Sequence, residues 1–342
     1  MSTRKQWLIY GATGYTGRRT AERAVAMGLK PVLAARRRDE VKALAEKLGL
    51  QWEAFDLSDV NVVTSSLSKY STVLHCAGPF IDTYLTMIKA CIAAGTNYLD
   101  ITGEVDVYEG LARHEAEAKK AGVMIMPAVG FDMVPGDCLA LALKERLPDA
   151  DTLDIGYSFD GTITRGSIRS ALKAFTPDAQ VRRKGQMIRL SAPETRKFDF
   201  GPNSAGGEVD CYTNTFGDVS IGWRTTGIPN VTAYLHITEA FQKLATLASE
   251  ADIQKLPEGP SDDELRTHSA FIVGEVRNAT GKVCRARMTT PQVYAVTFPL
   301  AADIAQRVHE GAAKPGFQTP AAMFGKDFIL GFDRCSIEWL PS

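Results

Sequence analysis

Short apolar runs alternate with amphipathic stretches through the first third of the chain. Trp7-Leu8-Ile9-Tyr10 is wholly apolar and runs into a glycine, which predicts a strand buried on both faces of a parallel sheet. Arg18 to Met27 then sets Thr20, Ala21, Ala24, Val25 and Met27 at helical spacing and stops at Gly28. Pro31 to Ala35 predicts a second strand, Asp39 to Leu48 a helix ending at Gly49, and Trp52 to Phe55 a third strand. The alternation continues with a helix Val60–Leu67, a strand Thr72–Cys76, a helix Thr83–Ala94, a strand Tyr98–Ile101, one helix Tyr108–Ala121 and a strand Val123–Met126. Repetition of βα units over about 125 residues predicts a right-handed, doubly wound parallel sheet, an N-terminal Rossmann domain over residues 1–127.

Past Ala128 the pattern changes. Leu139–Leu147 reads as a helix, whereas Asp154–Phe159, Ile188–Leu190 and Val231–Ile237 alternate like antiparallel strands. Gly201–Gly207 and Pro257–Asp263 read as loops, Gly281–Phe298 as a hairpin, and Ala301–Gly311 as an amphipathic helix. This is the pattern of a second, α+β domain with a largely antiparallel sheet over 128–298, so the fold class expected is α/β with two domains.

Charge changes the picture only by exclusion. The 342 residues carry 39 Lys+Arg against 40 Asp+Glu, so no global field favours nucleic acid or an anionic membrane, and a small-molecule substrate is the expected partner. A homodimer stays open as an assembly. The six cysteines, Cys76, Cys91, Cys138, Cys211, Cys284 and Cys335, are scattered without metal-ligand spacing, which predicts reduced thiols and no metal. The start of the chain runs into a strand rather than a signal-peptide core, and no apolar run approaches the ~18–20 residues of a membrane span; the cytoplasm is the expected location.

The candidate chemistry begins at Gly11-Ala12-Thr13-Gly14-Tyr15-Thr16-Gly17. Directly after an apolar strand and opening a helix, its glycines allow a tight turn, close backbone approach to a pyrophosphate, and close helix–strand packing. The helix N-terminus offers backbone N–H groups to the phosphates, with Thr13, Tyr15 and Thr16 at the variable positions. Where an NAD enzyme places a carboxylate for the ribose 2′-hydroxyl, this chain has Arg36-Arg37-Arg38. A guanidinium binds a 2′-phosphate through forked, charge-assisted hydrogen bonds, so the expected cofactor is NADP, held by Arg36 first and Arg37 second, with Arg38 facing solvent. Asp56, after the third strand, suits either the adenine amino group or a cap on the helix beginning near Ser58.

Cys76-Ala77-Gly78-Pro79 ends a strand at the carboxyl edge of the sheet, where the nicotinamide half would lie against backbone. Tyr98, Thr102 and Glu104 follow the next strand, and Gly130-Phe131-Asp132 the one after. Glu104 and Asp132 are therefore candidate catalytic groups for proton transfer, or alternatively backbone caps. His75 sits in an apolar strand, the place of a core residue bonded to backbone. Thr162 to Ser170 gathers hydroxyls with Arg165 and Arg169 before a helix, either a carboxylate site or ordinary capping. None of the ten tyrosines has a lysine four residues on, so the acid pair of short-chain dehydrogenases is absent.

Four blocks occur in order: Ala77-Gly78-Pro79-Phe80, Ala90 to Glu104, Gly130-Phe131-Asp132-Met133-Val134-Pro135-Gly136-Asp137, and Lys314 to Gly325. With the glycine turn they resemble the saccharopine dehydrogenase-like NADP-binding oxidoreductases, in a branch that includes trans-acting enoyl reductases. Met133 and Gly136 depart from it, standing where serines are usual. The resemblance implies a C-terminal segment, 299–342, that returns to the Rossmann domain. The function expected is an NADPH-dependent oxidoreductase passing hydride to a small unsaturated carbonyl or imine; the alternatives are a saccharopine or amino-acid-type dehydrogenase acting on a C–N bond, and a non-catalytic NADP(H)-binding regulatory protein.

Overall fold

A computed structural model describes residues 6–174, 179–202, 207–244 and 249–341. Residues 203–206 of the expected Gly201–Gly207 loop, and residues 1–5, lie outside the described residues. Contacts divide the chain into two compact units, Met1–Gly130 with Thr297–Gln318, and Phe131–Val296 with Thr319–Ser342.

The first unit contains β1 (Trp7–Tyr10), α1 (Tyr15–Ala26), β2 (Val32–Ala35), α2 (Arg38–Leu48), β3 (Trp52–Ala54), α3 (Val60–Leu67), β4 (Thr72–His75), α4 (Phe80–Ala94), β5 (Asn97–Asp100), α5 (Val105–Ala112), α6 (Glu115–Ala121) and β6 (Met124–Met126). Its sheet has the order β6-β5-β4-β1-β2-β3, extended beyond β6 by the short strand Gly316–Phe317. Every pairing in it is parallel. The four-residue runs of β1 and β2 are buried throughout, as strands covered on both faces must be. The strand order reverses between β1 and β4, which makes that crevice the topological switch point where open α/β sheets bind ligands.

Three expectations change here. Helices α1 and α4 begin at Tyr15 and Phe80 rather than at Arg18 and Thr83, because their first turns are built from loop-like glycine and proline sequence. The single helix expected over Tyr108–Ala121 is two, broken at Arg113-His114. Arg113 and His114 donate to Gly110 and Leu111 in tightened turns, and Glu115 and Glu117 begin a new N-terminus.

The second unit contains α7 (Val134–Arg146), β7 (Thr152–Phe159), α8 (Arg165–Ala174), β8 (Gln180–Arg183), β9 (Gln186–Arg189), β10 (Thr195–Asp199), β11 (Glu208–Thr213), α9 (Ile221–Thr226), β12 (Asn230–Leu235), α10 (Glu239–Leu244), α11 (Glu250–Lys255), α12 (Asp262–Thr267), β13 (Ser269–Arg277) and β14 (Val283–Pro291). Helix α13 (Val293–Arg307) carries the chain from it into the first unit; after the short strand there, β15 (Gly316–Phe317), α14 (Pro320–Phe324) and β16 (Ser336–Leu340) belong to the second unit again. The sequence reading gave all of 299–342 to the Rossmann domain, whereas the segment divides after Gln318.

The main path of the second sheet is β10-β11-β12-β7-β13-β14-β16, with the β8–β9 hairpin attached to β12. Its pairs are antiparallel except β7 with β12, two strands expected to be antiparallel that lie parallel in register Asn230↔Thr152 to Leu235↔Tyr157. Alternation of apolar and polar residues sets the face of a strand and carries no direction. The expected hairpin Gly281–Phe298 is displaced: β13 and β14 flank a turn at Asn278–Lys282, and Val293 to Phe298 already belongs to α13. Helix α7 packs against this sheet at Gly274, where a Cβ would stand 2.5 Å from Leu143 Cδ1. Among the described residues, no helix is long and apolar enough to cross a membrane.

Candidate dinucleotide-binding site

Each glycine of the turn after β1 answers a different steric demand. Gly11 has φ +82°, and a Cβ there would lie 2.8 Å from the Ala77 backbone nitrogen and 2.9 Å from the Cys76 carbonyl carbon. The turn after β1 is thus pressed against the loop after β4, across the switch point. A Cβ on Gly17 would come within 2.3 Å of the Gly11 carbonyl oxygen, so only glycine lets α1 start this close to β1. Gly14 is the exception: its Cβ would meet only Gly11 O at 3.5 Å, and the residue is exposed. It is also the N-cap of the twelve-residue α1 and supplies no side-chain cap. Open space in front of an uncapped helix N-terminus fits a pyrophosphate. Thr13 and Thr16 border this space half-buried, while Tyr15 turns inward, 6.2 Å from the Phe298 ring.

The three arginines after β2 diverge. Arg37 is paired with Glu40 at 2.7 Å, and Arg38 lies over the Trp52 ring at 5.1 Å. Arg36 is exposed and has no hydrogen bond or ion pair among the described residues. Arg36 and Asp56 both act electrostatically on the Tyr10 hydroxyl, whose pKa burial raises to about 12, and that hydroxyl donates to the Phe55 carbonyl at 3.2 Å. The guanidinium at the end of β2 and the carboxylate at the end of β3 therefore share one corner, where an adenosine 2′-phosphate fits the former. Asp56 does not cap α3. It accepts from the backbone and hydroxyl of Ser58, which hold its carboxyl below the usual range, and the cap is Asp59, accepting from Asn61 N–H at 2.8 Å.

On the other side of the switch point, the loop Cys76-Ala77-Gly78-Pro79 is braced by buried side chains. Thr83 donates to the Ala77 carbonyl at 2.9 Å, so the 2.9 Å contact between His75 Nε2 and Thr83 Oγ1 has the imidazole as donor. Burial drives the His75 pKa down to about 3, so it is a neutral core residue as expected, bonded however to the Thr83 hydroxyl rather than to backbone. The Cys76 thiol is pushed up by burial and stays protonated. Glu104, a catalytic candidate in the sequence, is a helix cap: Oε1 accepts from Phe80 N–H at 2.9 Å and Oε2 from Ile81 N–H at 2.8 Å, at the head of α4. Both oxygens are engaged by backbone donors, the arrangement of the backbone-cap alternative rather than of a free proton-transfer group.

Asp132, in the second unit, behaves in the opposite way. The N-cap of α7 is Met133, which makes no side-chain cap, and Asp132 has no hydrogen bond among the described residues. Burial pushes its carboxyl up to about 6. Asp132 is half-buried, and two fully buried aspartates accompany it. Asp218 accepts from Tyr157 OH at 2.8 Å and 2.9 Å, and Asp137 accepts from Thr225 OH at 2.5 Å and Ala321 N–H at 2.7 Å; burial raises both to about 7. Gly136 explains its own departure from serine: a Cβ there would fall 2.2 Å from Tyr157 Oη and 2.7 Å from Asp218 Oδ1. Sequence reasoning passed over Asp218, which lies in no motif. The hydroxyl-rich segment before α8 is capping: Thr164 accepts from Ser167 N–H, Arg165 donates to the Leu256 carbonyl, and Arg169 pairs with Glu250 at 2.5 Å. Among the described residues, no group of His, Cys, Asp and Glu can hold a metal ion.

Comparison with known proteins agrees with this geometry. Residues 7–126 match the family model of the saccharopine dehydrogenase NADP binding domain. A Mycobacterium tuberculosis protein, whose name marks it as a provisional trans-acting enoyl reductase, is 30% identical over 214 residues, covering 57% of this chain and 51% of that protein. A Mycobacterium leprae trans-acting enoyl reductase is 31% identical over 148 residues, 41% of this chain and 35% of its own length. The chain spans about half the length of the first of these relatives. Among solved structures, apo saccharopine dehydrogenase (L-Glu forming) from Saccharomyces cerevisiae superposes with a TM-score of 0.66 over 98% of this chain and 100% of that one, at 13% identity, a likeness of fold. Residues 7–126, which hold the glycine cradle at the switch point and the solvent-facing Arg36, are thus similar to the saccharopine dehydrogenase NADP binding domain.

Proposed function

We propose that the chain is an NADPH-dependent oxidoreductase that reduces a neutral unsaturated carbonyl or imine, with Asp132 holding the proton. Bound NADPH supplies a hydride with its electron pair and leaves as NADP⁺. The glycines Gly11 and Gly17 shape the cradle, Gly14 opens it to the pyrophosphate, and Arg36, then Arg37, recognises the 2′-phosphate. Cys76, Ala77, Gly78 and Pro79 form the small-residue wall for the nicotinamide half. The proton that completes the addition across C=C or C=N comes from a group protonated near neutral pH. Asp132 carries this reading, because its carboxyl has no hydrogen bond among the described residues and is raised to about 6.

Saccharopine-type chemistry would require free cations for a dicarboxylate, and the two arginines the sequence offered are engaged, Arg165 by Leu256 and Arg169 by Glu250. The enoyl reductase names of the relatives favour an enoyl acceptor. NADPH oxidation followed spectrophotometrically against enones, enoyl thioesters and cyclic imines tests the proposal. Turnover of an enone or enoyl thioester, lost in Asp132→Asn with cofactor affinity retained, supports it. Turnover only of a 2-oxo dicarboxylate supplied together with an amino acid, or none at all despite tight NADPH binding, overturns it in favour of the amino-acid or regulatory reading.

A further inference from the structure

Asp100, the last residue of β5, is fully buried and accepts hydrogen bonds on both carboxylate oxygens. Its Oδ1 accepts from Thr102 N–H at 3.0 Å and from Ala128 N–H at 2.8 Å, and its Oδ2 accepts from Tyr98 OH at 2.6 Å. Its backbone carbonyl accepts from Val129 N–H at 2.8 Å. One residue therefore fastens the loop after β5 to the stretch after β6. That stretch needs fastening. Ala128 sits at φ +58°, a left-handed conformation that is unfavourable for a residue with a Cβ, and bonds from Ala128 and its neighbour Val129 to Asp100 hold it there.

The neighbouring loops are tied in the same manner. Glu104, two residues beyond Thr102, joins the loop after β5 to the head of α4, and Thr83 joins α4 to Ala77 in the loop after β4. The carboxyl ends of β4, β5 and β6 are thus cross-linked by the buried side chains of Asp100 and Glu104 and the half-buried Thr83. The hydrogen bonds named here run among β4, β5 and β6, away from the ends of β2 and β3 where Arg36 and Asp56 stand. In a doubly wound sheet the two halves of a dinucleotide lie on opposite sides of the switch point, the adenosine half over β1-β2-β3 and the other half over the strands that begin with β4.

We infer that Asp100 is a positioning residue for the nicotinamide half of the cofactor, setting the rim of the sheet beyond β4 without touching the adenosine corner. The inference rests on the NADP reading of the site. The two corners separate with two ligands on the full chain: 2′,5′-ADP, which carries only the adenosine end, and NADPH, each titrated calorimetrically. In Asp100→Ala, 2′,5′-ADP is expected to bind as to the unaltered chain, while the advantage of NADPH over the fragment falls about tenfold. Asp100→Asn keeps an acceptor for Thr102 and Ala128 and is expected to restore most of that advantage. Tyr98→Phe removes a single donor and is expected to lower it about threefold with the melting temperature nearly unchanged; this variant decides the matter if Asp100→Ala fails to fold. Equal weakening of both ligands, or an unchanged advantage in every folded variant, overturns the inference. Failure of the unaltered chain to bind 2′,5′-ADP overturns the NADP reading instead.

Discussion

Gly17 stands so close to Gly11 that the Cβ of any other residue would lie 2.3 Å from the Gly11 carbonyl oxygen. The contact is backbone against backbone, so no side-chain rotation relieves it. Gly17→Ala is expected to lose about 3 kcal/mol of stability, the upper range for overpacking, in chemical denaturation. Gly14→Ala provides the contrast. Its Cβ has 3.5 Å to the nearest atom and an ordinary φ of −73°, so the variant should fold normally and lose NADPH affinity by obstructing the approach of the pyrophosphate.

Gly136→Ser, which introduces the residue usual in the resembling family, should destabilise this chain by about 1–3 kcal/mol, because its Cβ would collide with the Tyr157 hydroxyl. Removing that hydroxyl relieves the closer of the two contacts and leaves the one with Asp218 Oδ1 at 2.7 Å. A double-mutant cycle with Tyr157→Phe should show the two changes to be strongly non-additive, the second substitution costing less in the serine background. Additive losses would mean that the serine is accommodated elsewhere.

Glu104→Ala should cost about 1–2 kcal/mol by uncapping α4, and Glu104→Gln somewhat less. The pH dependence of turnover should be unmoved in Glu104→Gln, since both side-chain oxygens are engaged at the head of α4 rather than turned to a substrate. A lost or shifted pH limb in that variant would return Glu104 to the chemistry.

Asp137 and Asp218 are raised to about 7, and Asp132 to about 6, from ordinary carboxyl values near 4. The folded state binds these protons more tightly than the unfolded chain. Their contribution is therefore fully present below about pH 4 and is lost as pH rises through 6 to 7. Against the opposite trend of ordinary surface carboxylates, the melting temperature should fall between pH 5 and pH 8. Asp218→Asn, which keeps an acceptor for Tyr157, should flatten that fall, by about 2 kcal/mol across the window. An unchanged slope would show that Asp218 is ionised throughout.

The first unit was legible because both of its signals are local. A four-residue apolar strand, a glycine turn and a helical repeat are contiguous in sequence, and Gly11, Gly14 and Gly17 sit where their spacing put them. Direction and pairing were not local. The parallel β7–β12 pair and the displaced β13–β14 hairpin depend on partners distant in sequence, which alternation along one strand does not encode. The same limit governed the site. Glu104 looked like an acid because it follows a strand at the carboxyl edge, and its true partners, Phe80 and Ile81, are more than twenty positions earlier. Asp100 was visible within a resembling block, yet its bonds to Ala128 and Val129 are properties of the fold. The three consecutive arginines were ranked in the sequence with Arg36 first and Arg38 facing solvent, and the structure adds what each one meets: Glu40 for Arg37, the Trp52 ring for the exposed Arg38, and solvent for Arg36.

The central claim is that Arg36 selects NADP, and the most direct measurement is calorimetric titration of NADP and NAD into the unaltered chain and into Arg36→Glu. The account predicts that the unaltered chain prefers NADP by about tenfold or more, and that the reversed charge abolishes this preference while leaving NAD binding nearly as it was. Equal affinity for the two nucleotides in the unaltered chain, or a preference for NADP that survives in Arg36→Glu, would contradict it.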